Sequence, residues 1–385
     1  MTGFAGLPLE VRDFPLWETM KRRRRVVSFE LELTARCTND CPHCYIALPV
    51  ADPVARAREL APAEIARIAD EAVELGALWV LLTGGEPLLR EDFAEIYLLL
   101  KRKGLLVSVF TNATLVGPEH AALFRAYPPR DLEVTVYGAT RETYERVTRR
   151  PGSWNAFRRG LRLLAESGVP VRLKAMALRS NRREFERISA FCRERTRDFY
   201  RFDPLLHLRY DGDPDRNAEI MAERLAPEEV VSLELADGER SRALEKRCSR
   251  LAAAGPYSGE SDRLFRCGAG NGSFAVSYDG IFRLCSSLWA PGTIYDLRKG
   301  TVREAREELV PRVRDLRSRD PEFMRTCAVC PLINLCLWCP ATAYLECGAM
   351  DARIEGFCRV ARARAAAFGY PEAEHPSVDR ETGAE

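Results

Sequence analysis

A chain of 385 residues with 58 basic and 56 acidic side chains, net charge +2, has no global field to steer it toward nucleic acid or an anionic membrane. Its composition, 46% hydrophobic and 30% charged, is globular and excludes a disordered, collagenous or membrane-embedded chain, and its length implies two to three domains at ~150 residues each. The longest apolar stretches, such as Ala77 to Leu82, fall far short of the ~20 residues of a spanning helix, and Met1 to Arg25 lacks the apolar segment of a secretory signal, so a reducing cytoplasm is the expected compartment.

From about Ser28 to Leu208, short β-rich runs alternate with helical patterns, as a parallel α/β architecture demands. The predicted strands run from Phe29 to Leu33, Leu78 to Thr83, Leu105 to Thr111, Leu132 to Tyr137, Val171 to Leu178 and Phe202 to Leu208. Helical spacing of apolar residues marks Pro62 to Leu75, Asp92 to Lys103, Asn155 to Ser167 and Arg182 to Thr196. Three of these helices end at Gly76, Gly104 and Gly168, shortly before a strand, and glycine best takes the left-handed position after a helix. Six such units form either an open doubly wound sheet or a curled partial barrel, and periodicity alone does not choose. The turn cluster Asp211-Gly212-Asp213-Pro214 closes the first domain, residues 226 to 253 read as one or two helices, and the polar stretch from about Tyr370 to Glu385 reads as a frayed tail.

Thirteen cysteines in a chain of this size do not make a disulfide framework, which belongs to small secreted domains, so metal or cluster ligation leads. Three lie between Cys37 and Cys44 and eight between Cys267 and Cys358, implying two sites. Cys192 and Cys248 stand apart in helical patterns and read as structural thiols.

Cys37, Cys41 and Cys44 fall directly after the first predicted strand, at the end where parallel α/β folds carry their chemistry. Three thiolates do not complete a four-cysteine iron–sulfur site. If the centre is a [4Fe–4S] cluster, one iron has no protein ligand and can bind a small molecule, on the logic that makes an open zinc site catalytic. A zinc site could add His43 to the three thiols, but His43 adjoins Cys44 and bends back onto the same ion with difficulty.

The Cys37-x3-Cys41-x2-Cys44 spacing, followed by Thr83-Gly84-Gly85-Glu86-Pro87 at the end of the second strand, resembles the radical S-adenosylmethionine (SAM) superfamily. The resemblance implies that SAM chelates the open iron and that one electron from the cluster yields a 5′-deoxyadenosyl radical, the protein supplying orientation and exclusion of water. It carries Gly84, Gly85 and Glu86 over as binders of the SAM amino group. Thr135 stands where relatives often have a serine near the ribose, and Asn112 and Lys174 point to the same rim, Lys174 as a partner for the SAM carboxylate. Each of these three also has an ordinary reading, as strand residue, turn residue and interior ion pair respectively.

Toward the C-terminus, Cys267, Cys285, Cys327-x2-Cys330-x5-Cys336-x2-Cys339, Cys347 and Cys358 are too tightly spaced for a zinc ribbon. Their arrangement resembles the SPASM extension of radical SAM enzymes, which carries two auxiliary [4Fe–4S] clusters. The resemblance implies one cluster on Cys267, Cys285 and Cys339 and another on Cys327, Cys330, Cys336 and Cys358. This chain departs from it in having two residues, not three, between Cys336 and Cys339, and Ser273 and Ser277 where an eighth cysteine would lie; Cys347 is a spare thiol that could fill the gap. Ser286 follows Cys285 where sulfatase-maturing relatives have an aspartate, which argues against that activity.

The implied fold is α/β, a partial (β/α)6 TIM-like barrel with a C-terminal cysteine-rich auxiliary-cluster domain. Its expected divisions are an N-terminal extension (1–27), a radical SAM core (28–212), a helical connector (213–265), a SPASM-like region (266–360) and a tail (361–385). The resemblance implies hydrogen abstraction from a ribosomal precursor peptide, ending in a crosslink, oxidation, epimerisation or excision. The alternatives are a radical SAM step on a small molecule such as a tetrapyrrole in haem biosynthesis, and a non-catalytic, zinc-stabilised binding module. Only about twenty-seven residues precede the first strand, so a leader, if one is bound, is expected to need a separate leader-binding protein or another surface, while the basic run Lys21 to Arg25 either attracts an acidic leader or is a solvated patch. The remaining expected partner is an electron donor such as flavodoxin or ferredoxin, with no nucleic acid and no membrane.

Overall fold

The computed structural model describes residues 26–251 and 262–369, the side chains of 246–251 and 334 excepted. Six βα units run in order: β1 (Ser28–Thr34), α1 (Pro62–Glu74), β2 (Trp79–Gly84), α2 (Phe93–Arg102), β3 (Leu106–Thr111), α3 (Pro118–Ala126), β4 (Asp131–Val136), α4 (Arg141–Thr148), α5 (Ser153–Glu166), β5 (Arg172–Met176), α6 (Phe185–Arg195) and β6 (Arg201–Asp203). The strands lie side by side in chain order, every neighbouring pair parallel. That order never reverses, as a doubly wound sheet would require, and is that of a partial barrel.

Local chemistry sets the element ends. After α1, α2 and α5 the chain turns at Gly76, Gly104 and Gly168, with φ of 104°, 81° and 67°. At each, the following amide closes the helix: Ala77 N–H donates to Ala72 O, Leu105 to Leu100 and Val169 to Leu164. The last strand is shorter than its apolar pattern suggests, stopping at Asp203 because Pro204 has no amide proton for the ladder. Helices α3 and α4 lie outside the predicted elements; the buried face of α4 is Thr143, Tyr144, Val147 and Thr148, half of it threonine, which blunts its apolar pattern.

The C-terminal half begins with α7 (Pro214–Glu223), capped by Asp213, and continues through α8 (Pro227–Ala236), α9 (Gly238–Leu251), β7 (Ser273–Val276), β8 (Ile281–Arg283), β9 (Ile294–Asp296), α10 (Pro340–Cys347) and α11 (Glu355–Ala367). The cysteine-rich region does not stand apart from the barrel. β7 pairs parallel with β1, β8 and β9 follow antiparallel, and one nine-stranded sheet results. This covers the β1 edge, whose unpaired amides and carbonyls would otherwise face outward. Phe29 of β1 stacks on Phe274 of β7 at 5.3 Å, and Phe274 on Phe282 of β8 at 4.9 Å, so the core is continuous across the junction. On the far side, Arg364 of α11 bonds both carboxylate oxygens of Glu234 on α8, at 2.8 and 2.7 Å, with neither residue exposed by more than 1%. The sequence cue at Lys21 to Arg25 lies outside the described residues, as does the side chain of Cys248.

Candidate cluster and cofactor site

The cysteine loop leaves the C-terminal end of β1, and its entry is fixed on both sides. Arg36 forms a two-pronged bond to Glu59, at 2.7 and 3.0 Å, and Thr34 Oγ1 donates to the same carboxylate. The turn after β2 fastens to the opposite side, where Gly85 N–H donates to Thr34 O at 2.7 Å and Glu86 N–H to Arg36 O at 2.9 Å. The approach is so close that a Cβ on Gly84 would sit 2.2 Å from Thr34 O, and one on Gly85 2.2 Å from Arg36 O; Gly84 also has φ of 126°. Both glycines are therefore required by the backbone packing behind the loop.

Within the loop, Cys41 is buried, and Cys37 and Cys44 are partly so. Burial pushes the Cys37 thiol up to about 12, and the Glu86 and Cys44 charges add to it. Cys41 is raised well above its ordinary value, first by burial and then by Cys44 and Cys37, so the three thiols lie near enough to oppose one another's ionisation. Backbone amides already point at two of them: Asn39 N–H at Cys37 Sγ, 3.4 Å, and Ala47 N–H at Cys44 Sγ, 3.3 Å. Three mutually repelling thiolates, held in place and supplied with donors, are the ligand chemistry of an iron–sulfur cluster, in which positive iron removes the cost of ionising them. Among the described residues no group of three or more His, Cys, Asp or Glu side chains is close enough to hold a single ion, and a cluster, whose thiolates each take a different iron, does not require one. His43 packs on Tyr137, ring centroids 5.4 Å apart, and burial and then Arg216 depress its pKa to about 3.

Several expected cofactor contacts have structural partners. Glu86 is fully buried, and its carboxylate accepts from Thr111 Oγ1 at 2.7 Å, Asn112 N at 2.8 Å and Leu88 N at 3.1 Å. Burial raises its pKa to about 7 against those three bonds. Asn112 reaches the cysteine loop, with Nδ2 3.6 Å from Cys37 Sγ and 3.3 Å from Thr38 Oγ1. Lys174 pairs with Glu133 at 2.9 Å, over the Phe110 ring, and Arg201 bonds the same carboxylate at 2.7 Å. Thr135 is half-buried on β4, in register with Lys174. One contributor had no sequence signal: Arg216 of α7 donates to Cys41 O at 3.2 Å and pairs with Asp40 at 3.0 Å, clamping the loop from the connector.

The C-terminal cysteines fall into two sets. Cys327, Cys330, Cys336 and Cys358 act on one another, and the Cys336 thiol is raised by a hydrogen bond with Cys358, then by burial and the other three thiols. Cys285 is pushed up to about 11 by burial, with Cys339 and Cys267 contributing. Cys347 joins neither set; it is exposed, and its thiol donates to Arg353 O at 3.7 Å. Cys192 is buried in the core, its thiol raised to about 12 by desolvation. Between the cysteine loop and the C-terminal region lies a cavity lined by Tyr45, His207, Tyr210, Ser286, Trp289 and Leu345, among others.

A three-thiol loop at the mouth of a parallel partial barrel, with a Gly-Gly turn fastened behind it, defines a cluster-dependent α/β enzyme. Residues 31–192 match the radical SAM superfamily. The chain therefore carries a radical SAM domain, a domain whose characteristic cofactors are a [4Fe–4S] cluster and SAM. This sets aside the non-catalytic zinc module. The chain is 32% identical over 163 residues to the AdoMet-dependent heme synthase of Methanosarcina barkeri, covering 42% of this chain and 46% of that protein. It is likewise 32% identical over 162 residues to the PqqA peptide cyclase of Ruegeria pomeroyi, covering 40% and 41%. The matched stretches thus span about half the length of these curated relatives. The fold is shared with SuiB of Streptococcus suis bound to S-adenosylmethionine, at a TM-score of 0.61 and 14% identity over 89% of this chain and 80% of that one. SuiB is also known bound to its precursor peptide SuiA. Among the described residues no helix is long and apolar enough to cross a membrane.

Proposed function

We propose that the protein modifies a ribosomally made peptide by hydrogen abstraction. Cys37, Cys41 and Cys44 would hold a [4Fe–4S] cluster with one iron left for SAM, and the bound pair would supply the radical chemistry for hydrogen abstraction from the substrate. Arg36, Arg216 and the Gly84–Gly85 turn keep the loop rigid, and Thr135 and Lys174 line the rim where SAM would lie. Cys327, Cys330, Cys336 and Cys358 would hold one auxiliary cluster, and Cys267, Cys285 and Cys339 another with an open ligand position. Flavodoxin or ferredoxin would be the electron donor.

The observation that carries this reading is the cavity. One wall comes from the cysteine loop and the chain after β6 (Tyr45, Tyr210), and the other follows Cys285 (Ser286, Trp289). A bound peptide would therefore meet both cysteine regions. The space between these walls is only about 20 Å³, room for roughly one water molecule, so the stacked Tyr210 and Trp289 rings would have to part to admit a substrate side chain. A tetrapyrrole is the second reading, favoured by the heme synthase relative. Anaerobic incubation with SAM, a reductant and either a library of ribosomally encodable peptides or coproporphyrins separates the two. The expected result is 5′-deoxyadenosine together with a mass change on peptide. Turnover with the porphyrin and none with peptides would sink the first reading.

A further inference from the structure

Asn112 ends the third strand beside the cysteine loop, and every hydrogen-bonding site of its side chain is occupied within the protein. Thr114 N–H donates to one side-chain atom at 2.9 Å, and since a backbone amide can only donate, that atom is Oδ1. Thr114 Oγ1 fills the second lone pair at 2.7 Å. Nδ2 then faces the cysteine loop and uses both protons, on Thr38 Oγ1 at 3.3 Å and Cys37 Sγ at 3.6 Å. A primary amide has two donors and two acceptor sites, so none is left for SAM. The residue is buried and its backbone is pinned by Glu86, which is itself held by Thr111 and Leu88. The chain Glu86 to Asn112 to Cys37 therefore delivers a fixed N–H to one ligand sulfur.

We propose that Asn112 is a positioning residue that hydrogen-bonds the Cys37 thiolate and raises the reduction potential of the SAM-binding cluster. Reduction adds one electron, supplied by the titrant or the protein donor, and places more negative charge on the cluster and its thiolates. A donor aimed at a ligand sulfur stabilises that form more than the oxidised one. Asn39 and Ala47 supply backbone amides that mutation cannot remove, whereas the Asn112 amide can be exchanged.

The test is a redox titration of the reconstituted full-length enzyme without SAM, following by electron paramagnetic resonance the signal that responds when SAM is later added. Asn112→Asp keeps the acceptor for Thr114 and replaces the donor by a carboxylate. Its cluster is expected to be harder to reduce by about tenfold or more, ~59 mV per tenfold for one electron. Asn112→Ala, the variant to read if the aspartate loses iron, is expected to shift the equilibrium by about fivefold, one neutral hydrogen bond. Thr114→Val, which leaves the Nδ2 donor in place, should leave the potential at the wild-type value. The proposal is overturned if Asn112→Ala retains full iron and titrates within about twofold of wild type, or if Thr114→Val shifts the potential as far as Asn112→Ala. A loss of SAM affinity with an unmoved potential would also overturn it and return Asn112 to direct cofactor contact.

Discussion

The Arg283 guanidinium on β8 lies 2.8 Å from the Glu32 carboxylate on β1, and neither side chain reaches solvent. The pair joins the barrel to the C-terminal region inside the sheet, and Glu32 Oε2 has no hydrogen-bond partner. Burial holds the Glu32 carboxyl above its usual range, and Arg283 opposes that rise. Arg283→Met would strand a buried carboxylate, at a cost of about 3–5 kcal/mol in unfolding free energy. The cost should grow with pH. A carboxyl raised in the folded state holds its proton where the unfolded chain has lost it, so its contribution is present below the unfolded value and lost on the alkaline side. Adding Glu32→Gln should recover most of the loss. Anaerobic urea unfolding at about pH 5 and about pH 8 would show it; a deficit of equal size at both would contradict the charge argument.

Glu86 provides a second pH signature. With its carboxyl at about 7 in the fold against 4.5 unfolded, the stability it contributes is fully present below pH 4.5 and disappears as pH rises through about 7. The span is on the order of 3 kcal/mol. Glu86→Gln should flatten the stability curve over that window, while lowering overall stability through its altered bonds to Thr111 and Asn112. Parallel curves for the two proteins would assign the slope to other groups.

The parts of the site legible in the sequence were those encoded locally. The Cys37, Cys41, Cys44 spacing and the Gly84-Gly85 turn lie within single loops, and the helix-ending glycines adjoin the strands they precede. Links over long separations left no pattern: Glu86 to Asn112 spans 26 positions, Arg216 to Cys41 175, and Arg283 to Glu32 251. Position on a strand drew attention to Asn112 and Lys174, but only three-dimensional packing determines that Asn112 faces Cys37 and that Glu133 takes the Lys174 charge. The merging of β7 with β1 was hidden for the same reason, because a four-residue strand carries no record of which edge it will pair with.

Iron content should follow the cysteine groupings. Cys336 sits among three other thiols, so Cys336→Ala should lose the iron of one cluster, about four per chain. Cys347→Ala should lose none, since that thiol is exposed and donates to Arg353 O. Cys41→Ala should abolish reductive SAM cleavage and retain the iron of the C-terminal sets. Iron and sulfide analysis of anaerobically reconstituted variants decides this, and iron loss in Cys347→Ala would assign that thiol to a cluster.

Trp289 sits between two partners, the Tyr210 ring at 4.0 Å with planes 13° apart and the Arg283 guanidinium at 3.9 Å. The stack links the chain after β6 to the segment after Cys285, at the wall of the cavity proposed to take the peptide. Removing the indole leaves Arg283 paired with Glu32, so the barrel should persist while the wall is lost. An aromatic contact of about 1–1.5 kcal/mol corresponds to roughly tenfold in affinity. Trp289→Ala should therefore raise the peptide KM about tenfold, with SAM cleavage in the absence of peptide unchanged. Trp289→Phe, which preserves a stacking face, should fall between the two. If Trp289→Ala lowered peptide-free cleavage as strongly as peptide turnover, the indole would be supporting the cluster region and not the substrate wall.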